Sequence, residues 1–90
     1  MEKEIYGIDK ERVAWRDIEG EITILDKKAG EFFHLNATAC RIWHLIQDGA
    51  AVDEIVSNLA GYFEAGEETL RGDITAFVGE LSGKGFIKRQ

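Results

Sequence analysis

The chain has no proline and only one cysteine among its 90 residues. A single cysteine excludes an intrachain disulfide and fits a reducing, cytoplasmic setting. Without proline, the turns fall to the 10 glycines. No apolar run approaches the roughly 18 residues that a membrane span requires, so no transmembrane segment is expected, and no membrane partner. The opening stretch MEKEIYGIDKER is charged and carries neither an apolar core nor a cleavage site, so no secretory signal is expected. Positive charge is also scarce: 11 Lys and Arg stand against 17 Asp and Glu, a net charge of −6. Proteins that grip nucleic acid draw affinity from displaced phosphate counterions and carry a basic stripe. This chain has the opposite balance, so no nucleic-acid partner is expected.

What is present is an ordinary globular composition, 44% hydrophobic and 31% charged. The length fits one domain spanning residues 1–90. A domain of this size buries only about 60–65% of its surface, which leaves little room for enzyme machinery. Residues 1–11 are polar apart from Ile5, Tyr6 and Ile8, and read as a loose arm or a late-docking strand.

Alternating apolar residues predict three short strands. Arg12–Ile18 carries Val13 and Trp15 on one face, and Glu19-Gly20 makes a two-residue turn. Glu21–Leu25 carries Ile22 and Ile24 opposite Thr23 and Leu25. After a turn over residues 26–30, Glu31–Leu35 sets Phe33 and Leu35 against Phe32 and His34. The period then changes to that of helices. Asn36 is suited to cap a helix from Ala37 to about Asp48, which Gly49 ends. A second helix, about Asp53 to Tyr62, carries Ile55, Val56, Leu59 and Tyr62 on one stripe. Gly61 and Gly66 bracket a linker. A third helix, about Glu67 to Lys84, carries Leu70, Ile74, Phe77, Val78 and Leu81, and Gly85 terminates it ahead of a short apolar tail, Phe86-Ile87. The fold class is therefore α+β: a three-stranded antiparallel meander followed by three helices, arranged like a winged helix-turn-helix.

His34, Cys40 and His44 come nearest to a metal or catalytic cluster. Cys40 and His44 share one helix face, but zinc sites draw on three or four ligands at closed spacing. A small buried thiol and two ordinary histidines is the simpler reading. Asp53, Glu54, Glu67, Glu68, Asp73 and Glu80 lie at helix starts and on polar faces, where carboxylates are solvated rather than paired for acid–base work. No phosphate-cradling glycine pattern and no Gly-x-Ser-x-Gly is present, so no catalytic residue, cofactor or metal is expected and the chain reads as a non-enzyme. A small winged-helix DNA-binding regulator is the alternative. Its reading helix would be the third, which sets Arg71 and Lys84 against Glu67, Glu68, Asp73 and Glu80, and phosphates repel that balance.

The third strand leads straight into a helix, which suits a place at the sheet edge. An edge presents unpaired N–H and C=O groups to an incoming extended segment. Phe32-Phe33 and the Ile74/Val78 flank of the last helix are expected to line a trough beside it.

The stretch from Leu25 to Ile87 resembles the PqqD-like family, named after pyrroloquinoline quinone biosynthesis protein D and also called RiPP recognition elements. The resemblance rests on Leu25-Asp26-x3-Gly30, Phe33-x-Leu35-Asn36-x-Thr38-Ala39 and Ile42-Trp43-x-Leu45-Ile46-x-Asp48-Gly49. It continues through Val52-x-Glu54-Ile55-Val56-x2-Leu59, Asp73-Ile74-x2-Phe77-Val78-x-Glu80-Leu81 and Gly85-Phe86-Ile87. It implies a three-stranded sheet packed on three helices, acting as a peptide chaperone. Such a domain binds the leader segment of a ribosomally made precursor peptide and presents it to a modifying enzyme, often a radical SAM protein. The leader adds to the third strand against the last helix. On this sequence that implies Glu31, Phe32, Phe33 and His34, faced by Arg71, Ile74 and Val78. The same edge is suited to pairing two copies, so a homodimer is a further expectation.

Overall fold

The computed structural model describes residues 3–64 and 66–90. Met1 and Glu2 of the expected arm and Ala65 of the expected linker lie outside the described residues. In chain order the elements are β1 (Tyr6–Ile8), β2 (Val13–Ile18), β3 (Glu21–Asp26), β4 (Glu31–Leu35), α1 (Ala37–Gln47), α2 (Val52–Phe63), α3 (Glu67–Gly83) and β5 (Ile87–Arg89).

The meander is built as the alternation predicts, with β3 between β2 and β4. Glu19 and Gly20 both take left-handed backbone, φ 52° and 82°. That is the handedness of a two-residue turn whose twist matches the flanking strands. The longer turn into β4 is held by Asp26. Its Oδ1 accepts from the backbone N–H of Lys28 at 3.0 Å and of Ala29 at 3.2 Å. Arg12 closes the same carboxylate from the other side, donating from Nε at 2.8 Å and from Nη2 at 3.1 Å. The register places Trp15, Ile24 and Phe33 in one row across the sheet and Ala14, Leu25 and Phe32 in the next. The first row faces the helices, and the second faces away.

The helices cover the inner face. Asn36 caps α1, its side-chain oxygen accepting from the Ala39 N–H at 2.8 Å. At the start of α2 the cap residue, Ala51, has no acceptor to offer. Glu54 compensates in part, its carboxylate accepting from the Ala51 N–H at 3.0 Å, and Asp53 adds charge at the positive end of the helix. The fully buried set draws on every layer: Val13, Ile22 and Ile24 from the sheet, Trp43 from α1, Ile55, Val56 and Leu59 from α2, Ile74 from α3, and Phe86 and Ile87 from the tail. Trp43 meets Trp15 edge-on, ring centres 5.4 Å apart, a geometry that aligns the ring edge with its neighbour's electron-rich face.

From Glu4 to Ile8 the arm is docked rather than loose. β1 pairs antiparallel with β5, Tyr6 opposite Arg89 and Ile8 opposite Ile87. Ile5 forms a further bridge to Ala51, and the Val52 N–H donates to the Glu4 carbonyl at 2.9 Å. The reason is burial at the other end of the chain. Phe86 and Ile87 are both about 1% exposed, and an adjacent strand satisfies the backbone that their burial takes out of water. The linker is also shorter than predicted, because α2 runs through Gly61 to Phe63 and ends on a left-handed Glu64.

Candidate functional site

The sheet ends at β4, which has β3 on one side and no strand on the other among the described residues. β1 and β5 pair with each other, and among the described residues neither reaches this edge. Which backbone groups are free follows from the turn. A two-residue turn closes on a hydrogen-bonded pair, here Ile18 and Glu21, so Glu21, Thr23 and Leu25 bond toward β2. The intervening Ile22, Ile24 and Asp26 bond toward β4, onto Leu35, Phe33 and Glu31. Phe32 and His34 therefore direct their N–H and C=O groups away from the sheet.

Beside that edge runs a trough in two chambers. The first, about 230 Å³, lies between Phe33 and Leu35 on β4 and Phe77, Glu80 and Leu81 on α3 with its C-cap Lys84, and has Phe86 beneath. Phe33 is half-buried and meets Phe86 edge-on, ring centres 5.6 Å apart. The second, about 170 Å³, shares Asn36, Ala39 and Phe77 with the first and continues past Thr38, Leu59, Leu70 and Ile74. The walls are mostly apolar; Glu80 and Lys84 border the first chamber and Asp73 the second.

The sequence-predicted residues are distributed unevenly over this site. Glu31, Phe32, Phe33 and His34 all lie on β4. Only Phe33 and His34 border the trough; Phe32 is 66% exposed on the sheet's outward face. The His34 ring bonds across the strand to Thr23 Oγ1 at 3.0 Å. Ile74 and Val78, expected as the opposing wall, are core residues at 1% and 2% exposure, Ile74 reaching only the floor of the second chamber. Arg71 turns to the opposite flank of α3 and pairs with Asp53 of α2 at 2.6 Å.

Helix geometry explains this displacement. At 100° per residue, Ile74, Val78 and Leu81 mark the centre of the buried stripe. Phe77 and Lys84 lie about 60–80° to one side of it, and Arg71 about 60° to the other. A groove wall is the shoulder of a buried stripe, not its centre. The signal for Phe77 and Lys84 was thus present in the same periodicity that identified the core, whereas Glu80, about 120° from Ile74, lies beyond the shoulder on the exposed face.

The other candidate groups are dispersed. Cys40 is buried and its thiol donates to the Leu35 carbonyl at 3.4 Å. His44 pairs with Asp17 at 2.6 Å. Among the described residues, no three His, Cys, Asp or Glu side chains are grouped to hold a metal ion, and no helix is long and apolar enough to cross a membrane.

Architecture and edge together define a winged-helix-like α+β domain with an open β-strand beside an apolar trough. The chain belongs to the PqqD family: the family described as Coenzyme PQQ synthesis protein D (PqqD) matches residues 21–87. Its structure is similar to that of TbiB1 in complex with the TbiA(beta) leader peptide, with a TM-score of 0.83 and 27% identity over 91% of this chain and 94% of that one. Lasso peptide synthetase B1 complexed with the leader peptide shares the fold, with a TM-score of 0.83 and 23% identity over 92% of this chain and 96% of that one. No curated protein matches the chain in sequence.

Proposed function

We propose that this domain binds the leader segment of a ribosomally synthesised precursor peptide and holds it for a modifying enzyme. The observation that carries the reading is the outer edge of β4, which pairs with no strand among the described residues and lies against the trough. The similarity to TbiB1, a protein in complex with a leader peptide, supports the same assignment. The leader adds as a strand, bonding to the N–H and C=O groups of Phe32 and His34. A leader side chain opposite Phe33 then points into the first chamber, toward Phe77 and Lys84, while its neighbours flank Phe32 and His34 on the outward face. Ile74 and Val78 support the helical wall from behind, Arg71 ties α3 to α2, and Glu31 sits at the outer end of the strand.

Magnitudes decide where affinity comes from. Four backbone bonds at a net of about 0.5–1.5 kcal/mol each contribute roughly 2–6 kcal/mol. Ordering a flexible segment costs about 2–5 kcal/mol. The two nearly cancel, so micromolar binding rests on apolar side chains in the trough, at about 1.5–3 kcal/mol for each one fully buried. Binding without catalysis is the role in this reading, in a cytoplasm that keeps Cys40 reduced. A radical SAM protein is the expected class of modifying enzyme. Dimerisation through β4 would compete with the leader for the same bonds.

An isotope-edited NMR titration with the leader of a precursor encoded beside this chain tests the proposal. Shifts should concentrate on β4 and on α3 from Phe77 to Gly83, extending to Lys84. Shifts confined to other elements would overturn it.

A further inference from the structure

Tyr62 continues the apolar stripe of α2 one turn beyond Leu59, yet it is 61% exposed, and its neighbour Phe63 is 41% exposed. Neither ring is loose. The Arg41 guanidinium sits 3.7 Å from the centre of the Tyr62 ring. Arg41 is itself fixed, its Nε donating to Asn58 Oδ1 at 3.1 Å. Phe63 meets Tyr62 edge-on, ring centres 4.8 Å apart and planes at 86°. Two exposed rings already held in one orientation form a ledge that binds with little further loss of side-chain freedom.

The position of the ledge identifies its occupant. Leu59 and Thr38 line the second chamber of the trough. Tyr62 follows Leu59 by three residues on α2, and Arg41 follows Thr38 by three residues on α1. Residues so spaced are surface neighbours about 5–6 Å apart. The ledge therefore stands within a helical turn of the trough's far end, opposite the end marked by Lys84.

We infer that the Tyr62–Phe63 ledge is a second anchor for the same peptide, taking a flat apolar side chain, aromatic or prolyl, from residues flanking the segment paired with β4. The inference rests on β4 and α3 being the peptide site. From Phe77 back to Leu70 is about 10 Å along the helix, and one more turn adds about 5 Å. An extended chain covers that in about five residues, which sets the spacing between the side chain seated at Phe77 and the one on the ledge. Arg41 occupies one face of Tyr62, so the incoming group stacks on the open face or against the edge of Phe63.

The test uses a 20-residue peptide selected on the wild-type chain from a displayed random library, together with its truncation to the residues that pair with β4. The variant is the double substitution Tyr62→Ser and Phe63→Ser, with its thermal midpoint and light-scattering mass measured alongside. The variant should weaken the long peptide about tenfold, the scale of an aromatic contact, and leave the short peptide's Kd unchanged. Equal affinity of the long peptide for variant and wild type would overturn the second anchor, as would equal weakening of both peptides. A loss of self-association without a change in peptide Kd would mark the ledge as a contact between copies and overturn it too. Absence of NMR shifts at β4 and at Phe77 to Lys84 when the long peptide binds wild type is a different result, because it removes the β4 site itself.

Discussion

The Lys84 ammonium lies 4.8 Å from the centre of the Phe33 ring, so a charge carried at the C-cap of α3 reaches across the trough to β4. This contact joins the two walls between which the leader is proposed to lie. Lys84→Ala should cost no more than about 1 kcal/mol of stability, the scale of a partly exposed cation–π pair. Lys84→Glu adds a second negative charge beside Glu80 and should weaken leader binding more than the alanine variant does. Calorimetric titration of both variants checks the order.

Phe32 and Phe33 are adjacent but should respond differently to the same substitution. Phe32→Asp changes a residue that is 66% exposed, so stability should stay within about 0.5 kcal/mol of wild type. Leader affinity should fall, because Phe32 flanks the incoming strand. Phe33→Asp sets a carboxylate against Phe86 and should unfold a large fraction of the domain. Thermal melts of the two variants read the difference directly.

The core assignment of Ile74 makes a separate prediction. Ile74→Ala should cost about 2–5 kcal/mol, a large share of the stability of a small domain. Any loss of leader binding should track the unfolded fraction and recover on cooling below the melting transition. A local binding defect in a fully folded Ile74→Ala variant would place this residue on the surface of the trough instead.

Acid should find the turn before β4. The Arg12 guanidinium, with help from the Lys28 and Ala29 N–H groups, holds the Asp26 carboxyl down to about 2, against about 4 in an unfolded chain. Because the folded value is the lower one, the unfolded state binds the proton more readily. The resulting stability is present above pH 4 and is lost as the pH falls from about 4 toward 2. Asp26→Asn should lower the melting temperature at neutral pH and flatten its fall across that window. A series of melts from pH 6 to 2, an interval of roughly 4 units around these values, gives both slopes.

Local chemistry explains which features the sequence disclosed. The strands from Val13 to Leu35 announce themselves by alternation, Asn36 by its capping side chain, and Gly49 by its left-handed backbone, φ 83°. Each signal lies within a few residues of the structure it causes. The β1–β5 ribbon has no such signal, because its partners come from opposite ends of the chain and neither is strongly patterned alone. Tyr62 followed the stripe correctly but lay one turn past the place where the core stops. The β4 edge was legible because a strand running directly into a helix leaves its outer side available. Of the residues expected on the opposing wall, Ile74 and Val78 lie in the core, because apolar periodicity marks what is most buried, and a groove is lined by what is half-buried.

Strand addition at β4 is read out by hydrogen exchange at its five amides, measured by NMR with and without leader peptide. In the free domain, Glu31, Phe33 and Leu35 should be protected by β3, while Phe32 and His34 exchange rapidly. Saturating peptide should slow Phe32 and His34 selectively. Protection of those two amides in the free monomer, or no change on saturation, would contradict strand addition at this edge.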